Sequence, residues 1–367
     1  MPTDPPPTSS PGLLSGMRVL DVSAWRPMPH ATQILADLGA EVLKIEPPGG
    51  DPMRAYPELF AAIARGKRSV VLDLRRDDGQ ARALELAAQA DVVCEAWRPG
   101  VADRLGLGYD AVSGVNPQVI YASLTGYGQT GPWRDVPGHD VNYQALGGAL
   151  APPRPPLTDP AVPRLPVADL EGGTMCALLV CAAWARRLVT GEGERIDVAM
   201  ADVVAWWVGA HSDVAHVASD EPTRGSPGYG VFRTRDAQWI AIGVLAEQRL
   251  WRSICAALEL DDLADTDFAT RLGIVGAVNE RVAAAVAALD VADGMQRFRA
   301  HGAPASLVLT AEEASAHEQL VARRAFLSTP SGSVPDLPVL LTRHPRRSVT
   351  KLPAVDEHPG GFTSPRA

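Results

Sequence analysis

Hydrophobic positions near the start of the chain alternate between two periods. Arg18-Val-Leu-Asp-Val-Ser23 is a short β-rich run, Ala31 to Leu38 carries apolar residues at helical spacing, and Glu41 to Glu46 is β-rich again. Gly39 stands where a helix would stop, so the three segments predict a βαβ unit. After the turn Pro47-Pro-Gly-Gly-Asp51, the pattern predicts a strand over Ser69 to Leu74 and a helix over about Gly79 to Gln89. Further strands are predicted over Asp91 to Glu95 and Gln118 to Ser123. Strands alternating with helices imply an α/β lobe, a parallel sheet covered on both faces, and right-handed crossovers make it Rossmann-like.

Prolines crowd the stretch from Leu150 to Pro166, and a long apolar helix is expected from about Leu170 to Leu188. The glycines 191 and 193 then lead to a strand over Arg195 to Val198. After about Pro222 the grain changes. Val231 to Arg235 and Gln238 to Val244 read as a hairpin, and Trp251 to Leu258 and Val282 to Phe298 read as helices, together a smaller α+β lobe. The expected organisation is a disordered tail over 1–11, a large lobe over 12–212, a linker over 213–225, a small lobe over 226–313 and a return to the large lobe over 314–367.

Composition narrows the function classes. Among 367 residues, 34 basic against 43 acidic side chains give a formal charge of -9, which argues against nucleic acid or an anionic membrane as a partner. The most apolar window, Met175 to Ala185, is far short of the roughly 20 residues of a membrane span, and the Pro/Ser/Thr-rich start lacks a secretory pattern. Cys94, Cys176, Cys181 and Cys255 lack metal-ligand spacing and read as reduced core residues of a cytoplasmic protein. No metal is expected, because the eight histidines include no i, i+4 pair. Lysine occurs only at Lys44, Lys67 and Lys351, a skew read first as GC-rich coding and only then as chemistry.

Three local motifs carry chemistry. Gly126-Tyr-Gly-Gln-Thr-Gly131 matches a dinucleotide fingerprint, but Pro132 and Trp133 stand where the helix that binds pyrophosphate should open. These glycines read as a turn that lets backbone approach a ligand. His139 follows a Pro-Gly turn at the predicted start of a helix, where the positive dipole end favours a neutral imidazole able to act as a base. An ordinary surface histidine fits the same place. Asp169, before Leu-Glu-Gly-Gly and an apolar helix, fits either an N-cap or a carboxylate for nucleophilic or proton-transfer work.

Five ordered segments resemble the class III CoA-transferase family, which includes formyl-CoA transferase and α-methylacyl-CoA racemase. They are Gly16-Met-Arg-Val-Leu-Asp-Val-Ser23, Leu35 through Asp51, Arg65-Gly-Lys-Arg-Ser-Val-Val-Leu-Asp-Leu74, Arg98-Pro-Gly100 with Arg104-Leu-Gly-Leu-Gly-Tyr109, and Gly126 through Pro132. The resemblance implies an interlocked homodimer, a large lobe built from both chain ends, and an acyl-CoA substrate. Coenzyme A would enter as part of that substrate, with no separate cofactor. The implied coenzyme A contacts are Arg26, Leu72, Ala96, Trp97, Arg98 and Arg104, although Leu72 and Ala96 would serve equally as packing. The first loop, Ala24-Trp-Arg-Pro-Met-Pro29, departs from the Gly-Pro usual in relatives.

Asp169 matches the family's catalytic aspartate. Pro137 through Gly147 looks like the racemase motif, whose histidine works with that aspartate, and it places His139 thirty residues before Asp169. Glu247 matches the racemase glutamate with one extra residue after Gly243, and a solvated carboxylate at a helix start fits it equally. Glu171 stands where racemases tend to have glycine. Backbone N–H groups at the Gly172-Gly173 turn and helix start are the candidate oxyanion donors. The resulting expectation is racemisation of a 2-methylacyl-CoA through an enolate, with CoA transfer through an aspartyl anhydride as the alternative.

Overall fold

The structure, a computed structural model, describes residues 11–150, 162–211, 226–329, 332–344 and 346–363. Residues 1–10 of the expected tail, most of the Pro-rich stretch after Leu150 and the expected linker over 213–225 lie outside the described residues. The described residues fall into two compact units, one drawn from Met1–Leu150, Ala161–Val208 and Ser315–Ala367 and the other from Gly209–Ala314.

Six parallel strands form the sheet of the first unit: β1 (Arg18–Asp21), β2 (Glu41–Glu46), β3 (Arg68–Val71), β4 (Val92–Glu95), β5 (Ile120–Thr125) and β6 (Glu194–Ala199). Their order is β3-β2-β1-β4-β5-β6, the doubly wound arrangement in which the chain reverses direction between β1 and β4. Every residue of β4 and β5 is buried, as expected of central strands covered on both faces. The helices of this unit before the Pro-rich stretch are α1 (Pro27–Asp37), α2 (Pro57–Ala64), α3 (Asp77–Gln89), α4 (Val101–Arg104), α5 (Tyr109–Val115) and α6 (Asp140–Leu146). After it come α7 (Val167–Thr190) and α8 (Met200–His211). Helix α1 begins earlier than the apolar spacing indicated, because Pro27 and Pro29 sit in its first turn, where a missing N–H costs nothing.

Helix α7 spans 24 residues and by length and composition alone could cross a membrane, well beyond the short window read from the sequence. One face carries Cys176, Ala177 and Val180 into the core with Met28, Leu35 and Ile196. Gly173 lets it approach α1, since a Cβ there would lie 2.5 Å from the Pro27 carbonyl oxygen.

In the second unit an antiparallel sheet of β7 (Gly230–Arg233), β8 (Trp239–Ile242) and β9 (Ala305–Leu307) packs with α9 (Gln248–Leu258), α10 (Phe268–Gly273), α11 (Val275–Ala287) and α12 (Val291–Ala300). The single helix expected over Val282 to Phe298 is two. Asp290 takes an extended backbone at the start of α12, its carboxylate is held 2.6 Å from Arg235, and Leu289 turns into the core. The chain then runs through α13 (Ala311–Ala316), α14 (Glu318–Ala322) and the hairpin β10 (Phe326–Thr329) and β11 (Gly332–Pro335). Its C-terminal stretch lies along β3, where the His358 N–H donates to the Ser69 carbonyl at 2.8 Å and Phe362 enters the core.

Candidate active site

In a doubly wound sheet the strands leave a crevice beyond their carboxyl ends at the point of reversal. The chain has a cavity of about 810 Å³ there. Its walls come from the residues after β1 (Ala24 to Pro27), after β4 (Ala96 to Pro99) and at the end of β5 (Leu124 to Tyr127), with Met53, Tyr56 and Leu59 from the segment around α2. The 134–143 segment, Asp169 and Met200 close it.

A buried ionic network holds the first of these walls. Asp21 accepts from the Ser23 hydroxyl at 2.5 Å and the Thr32 hydroxyl at 2.6 Å, and Lys67 lies 3.2 Å from the same carboxylate. Lys67 also donates to the Pro29 carbonyl at 2.9 Å, while Lys44 donates to the Ser23 carbonyl at 2.6 Å and pairs with Asp51 at 2.8 Å. Burial pulls the Lys67 ammonium down to about 8 against the pull of Asp21. Both ends of the segment from Ala24 to Met28, the β1–α1 loop and the first residues of α1, are therefore anchored. Between them Trp25 adopts φ 66°, a left-handed conformation costing a non-glycine residue about 1–2 kcal/mol, and presents its exposed indole to the cavity.

On the opposite side, His139 is the N-cap of α6, with its N–H donating to Asn142 Oδ1 at 3.0 Å. Tyr143, one turn into the helix, donates from its hydroxyl to the Gly138 carbonyl at 2.5 Å. Gly126 is required beside it, since a Cβ there would fall 2.3 Å from the Tyr143 ring. Helix α7 starts at Val167 with Pro166 at its N-cap, so Asp169 occupies the first turn and is not the cap. The Asp169 N–H donates instead to Asp140 Oδ1 at 3.1 Å. Burial raises the Asp169 carboxyl to about 6, the Asp140 carboxylate adds to the rise, and Arg26 and His139 oppose it. A half-buried acid at this level can both take and return a proton near neutral pH.

The profile of CoA-transferase family III matches residues 14–359. The chain belongs to that family. It is 31% identical to human alpha-methylacyl-CoA racemase over 94% of this chain and 91% of the relative. It is 30% identical to the acetyl-CoA:oxalate CoA-transferase of Acetobacter aceti over 95% of each. A crystal structure of a CaiB/BaiF family protein from Brucella suis superposes with a TM-score of 0.83 at 26% identity, covering 95% of this chain and 98% of that one.

Of the positions that the family resemblance implied, Arg26, Ala96, Trp97, Arg98, His139 and Asp169 line the one cavity. Leu72, Arg104 and Glu247 are not among its lining: Leu72 packs against the core beside β3, and Arg104 is exposed at the end of α4. Trp97 is fixed by its backbone N–H, which donates to Glu95 at 2.8 Å, and burial pushes that carboxyl up to about 7. Glu247 belongs to the second unit, where it starts α9 and its carboxylate accepts the Leu245 N–H at 3.0 Å. Those backbone bonds hold its pKa below the usual range.

The expected oxyanion donors, Gly172 and Gly173, fall six and seven residues into α7, inside the region where each N–H serves the helix ladder. These glycines are packing sites, against Met200 and α1. Sequence reasoning missed Met53, Tyr56, Tyr127, Arg134, Asn142 and Tyr143. The aromatic residues of 127–143 were the available signal: Tyr127 stacks edge-on with both Tyr143 and Trp133, at 5.1 and 5.3 Å between centroids. No cluster of metal-ligating side chains occurs among the described residues.

Proposed function

We propose that the chain is an acyl-CoA enzyme that inverts a 2-methylacyl-CoA at its α-carbon through an enolate. The observation that carries this reading is that His139 and Asp169, from two different helices, line one cavity. In one direction neutral His139 takes the α-proton, and the C–H electron pair passes into the enolate and onto the thioester oxygen. Protonated Asp169 then returns a proton to the opposite face. The reverse direction starts from the Asp169 carboxylate and the His139 imidazolium. Each turnover leaves the pair with its protons exchanged, so before the next turnover in the same direction His139 gives up a proton to solvent and Asp169 takes one back. Arg26 and Asn142, both in the cavity, are the donors we assign to the thioester oxygen. Coenzyme A would lie against Trp97 and Arg98, with Arg104 further out, and the particle would be an interlocked homodimer in the cytoplasm.

CoA transfer is the second reading, favoured by relatives such as the oxalate enzyme at the same level of identity. There the Asp169 carboxylate attacks the thioester carbonyl and expels the coenzyme A thiolate, leaving a mixed anhydride. The acceptor carboxylate attacks this anhydride at the Asp169 carbonyl and displaces the donor acid, and the thiolate then attacks the acceptor carbonyl of the new anhydride, giving the acceptor's thioester and freeing Asp169. Heavy water separates the two. Racemisation places deuterium at the α-carbon of a branched acyl-CoA with no acceptor present, and His139→Ala suppresses incorporation unequally from the two enantiomers. A hydroxylamine-sensitive adduct on Asp169, with turnover only after an acid is added and no α-deuterium, would overturn the first reading.

A further inference from the structure

Asp140 lies next to His139 in the chain and is bonded to Asp169 in space. Asp169 is the third residue of α7, so its N–H is among the four that the helix itself leaves unpaired. No side chain of its own N-cap, Pro166, can serve it. Asp140 Oδ1 takes that N–H from 29 residues away, and the other oxygen is held at 2.5 Å by Gln144, one turn on in α6.

We infer that Asp140 is the positioning residue of this site, tying His139 to Asp169 through the peptide bond on one side and the carboxylate on the other. The inference rests on Asp169 acting in the reaction as proposed above. The charge of the same carboxylate has a second effect. The groups facing the Asp169 carboxyl are Asp140, His139 and Tyr143 from α6 and its N-terminal turn, and Arg26 from the β1–α1 loop. Asp140 is the one anion among them, and it makes the proton on Asp169 harder to remove. One side chain thus contributes both to the geometry of Asp169 and, after burial, to its proton affinity.

Asparagine separates the two effects, because its amide oxygen can accept the Asp169 N–H without the charge. The test follows the carboxyl ¹³C resonance of Asp169, identified by its loss in Asp169→Asn, against pH in the full chain. In Asp140→Asn the Asp169 titration should fall by about one pH unit, and the acid limb of the rate profile should move down with it. Asp140→Ala should in addition lower the pH-independent rate by about tenfold or more, because the α6–α7 tie is lost. Gln144→Met, which frees one Asp140 oxygen and touches neither partner, should lower the rate in the same sense by less and guards against a misfolded alanine variant. An Asp169 titration unmoved in Asp140→Asn overturns the inference, as does an Asp140→Ala rate equal to that of Asp140→Asn. Full turnover by Asp169→Asn would instead sink the proposed function and leave the measured coupling standing.

Discussion

Asp169 binds its proton more tightly in the folded chain than an exposed aspartate does, because burial and Asp140 both disfavour its charge. The consequence for stability has a definite sign. Between the ordinary value of 3.8 and about 6, the folded chain holds a proton that the unfolded chain has released. Stability therefore declines as pH rises through that window, and the whole loss is present above it. Asp169→Asn should stabilise the protein at pH 8 by about 1–2 kcal/mol, a figure reduced for partial solvent screening, and should give no gain below pH 4. Thermal unfolding at the two pH values checks this; an equal change at both would show that the effect is not the titration of Asp169. Trp25 is a second cavity residue held at a cost in stability, with a left-handed backbone that glycine would adopt without strain.

The elements that bear the site are held by groups far less exposed than those that act in it. Lys67 joins the first turn of α1, through the Pro29 carbonyl, to Asp21 on β1, and its side chain has no solvent exposure. Lys67→Met leaves Asp21 short of a cation and leaves the Pro29 carbonyl and Thr32 hydroxyl without its ammonium, so about 3–5 kcal/mol should be lost. Denaturant unfolding measures it, and a loss under about 1 kcal/mol would show the network to be dispensable. Two of the chain's three lysines are in this network, a signal present in the composition that the reading of GC-rich coding passed over. The α11–α12 break was hidden for a related reason. Helical spacing persists across Leu289 and Asp290, and the partners that hold the interruption, Arg235 on Asp290 and Asp236 on the Val291 N–H, are far away in sequence.

At the scale of the molecule, the first unit leaves large apolar side chains uncovered on two helices: Leu178, Leu188 and Val189 on α7, and Trp206 and Trp207 on α8. Large apolar side chains left exposed in this number are candidates for an interaction face. The proposed homodimer would cover it. Light scattering should give a particle of twice 38.9 kDa, and differently tagged dimers mixed under native conditions should remain unmixed for hours. A monomer at micromolar concentration, or hybrid dimers within minutes, would argue against an interlocked pair.

Alternating periodicity determined that the chain makes a parallel α/β sheet, and ordered motifs from Gly16 to Pro132 placed it in its family, because both are written in residues close together. His139 and Asp169 were legible as single residues with two readings each. Their shared cavity was not, since it depends on where the sheet reverses between β1 and β4. The same holds for Asp140, whose bond to Asp169 spans 29 positions, and for Leu72 and Arg104, which the family resemblance grouped with Arg26 and Trp97 as coenzyme A contacts and which lie outside the cavity that those two line. Spacing along a chain fixes which side chains share a strand or helix face. Which carboxylate meets which N–H across two helices is decided only when the packed core brings those helices together.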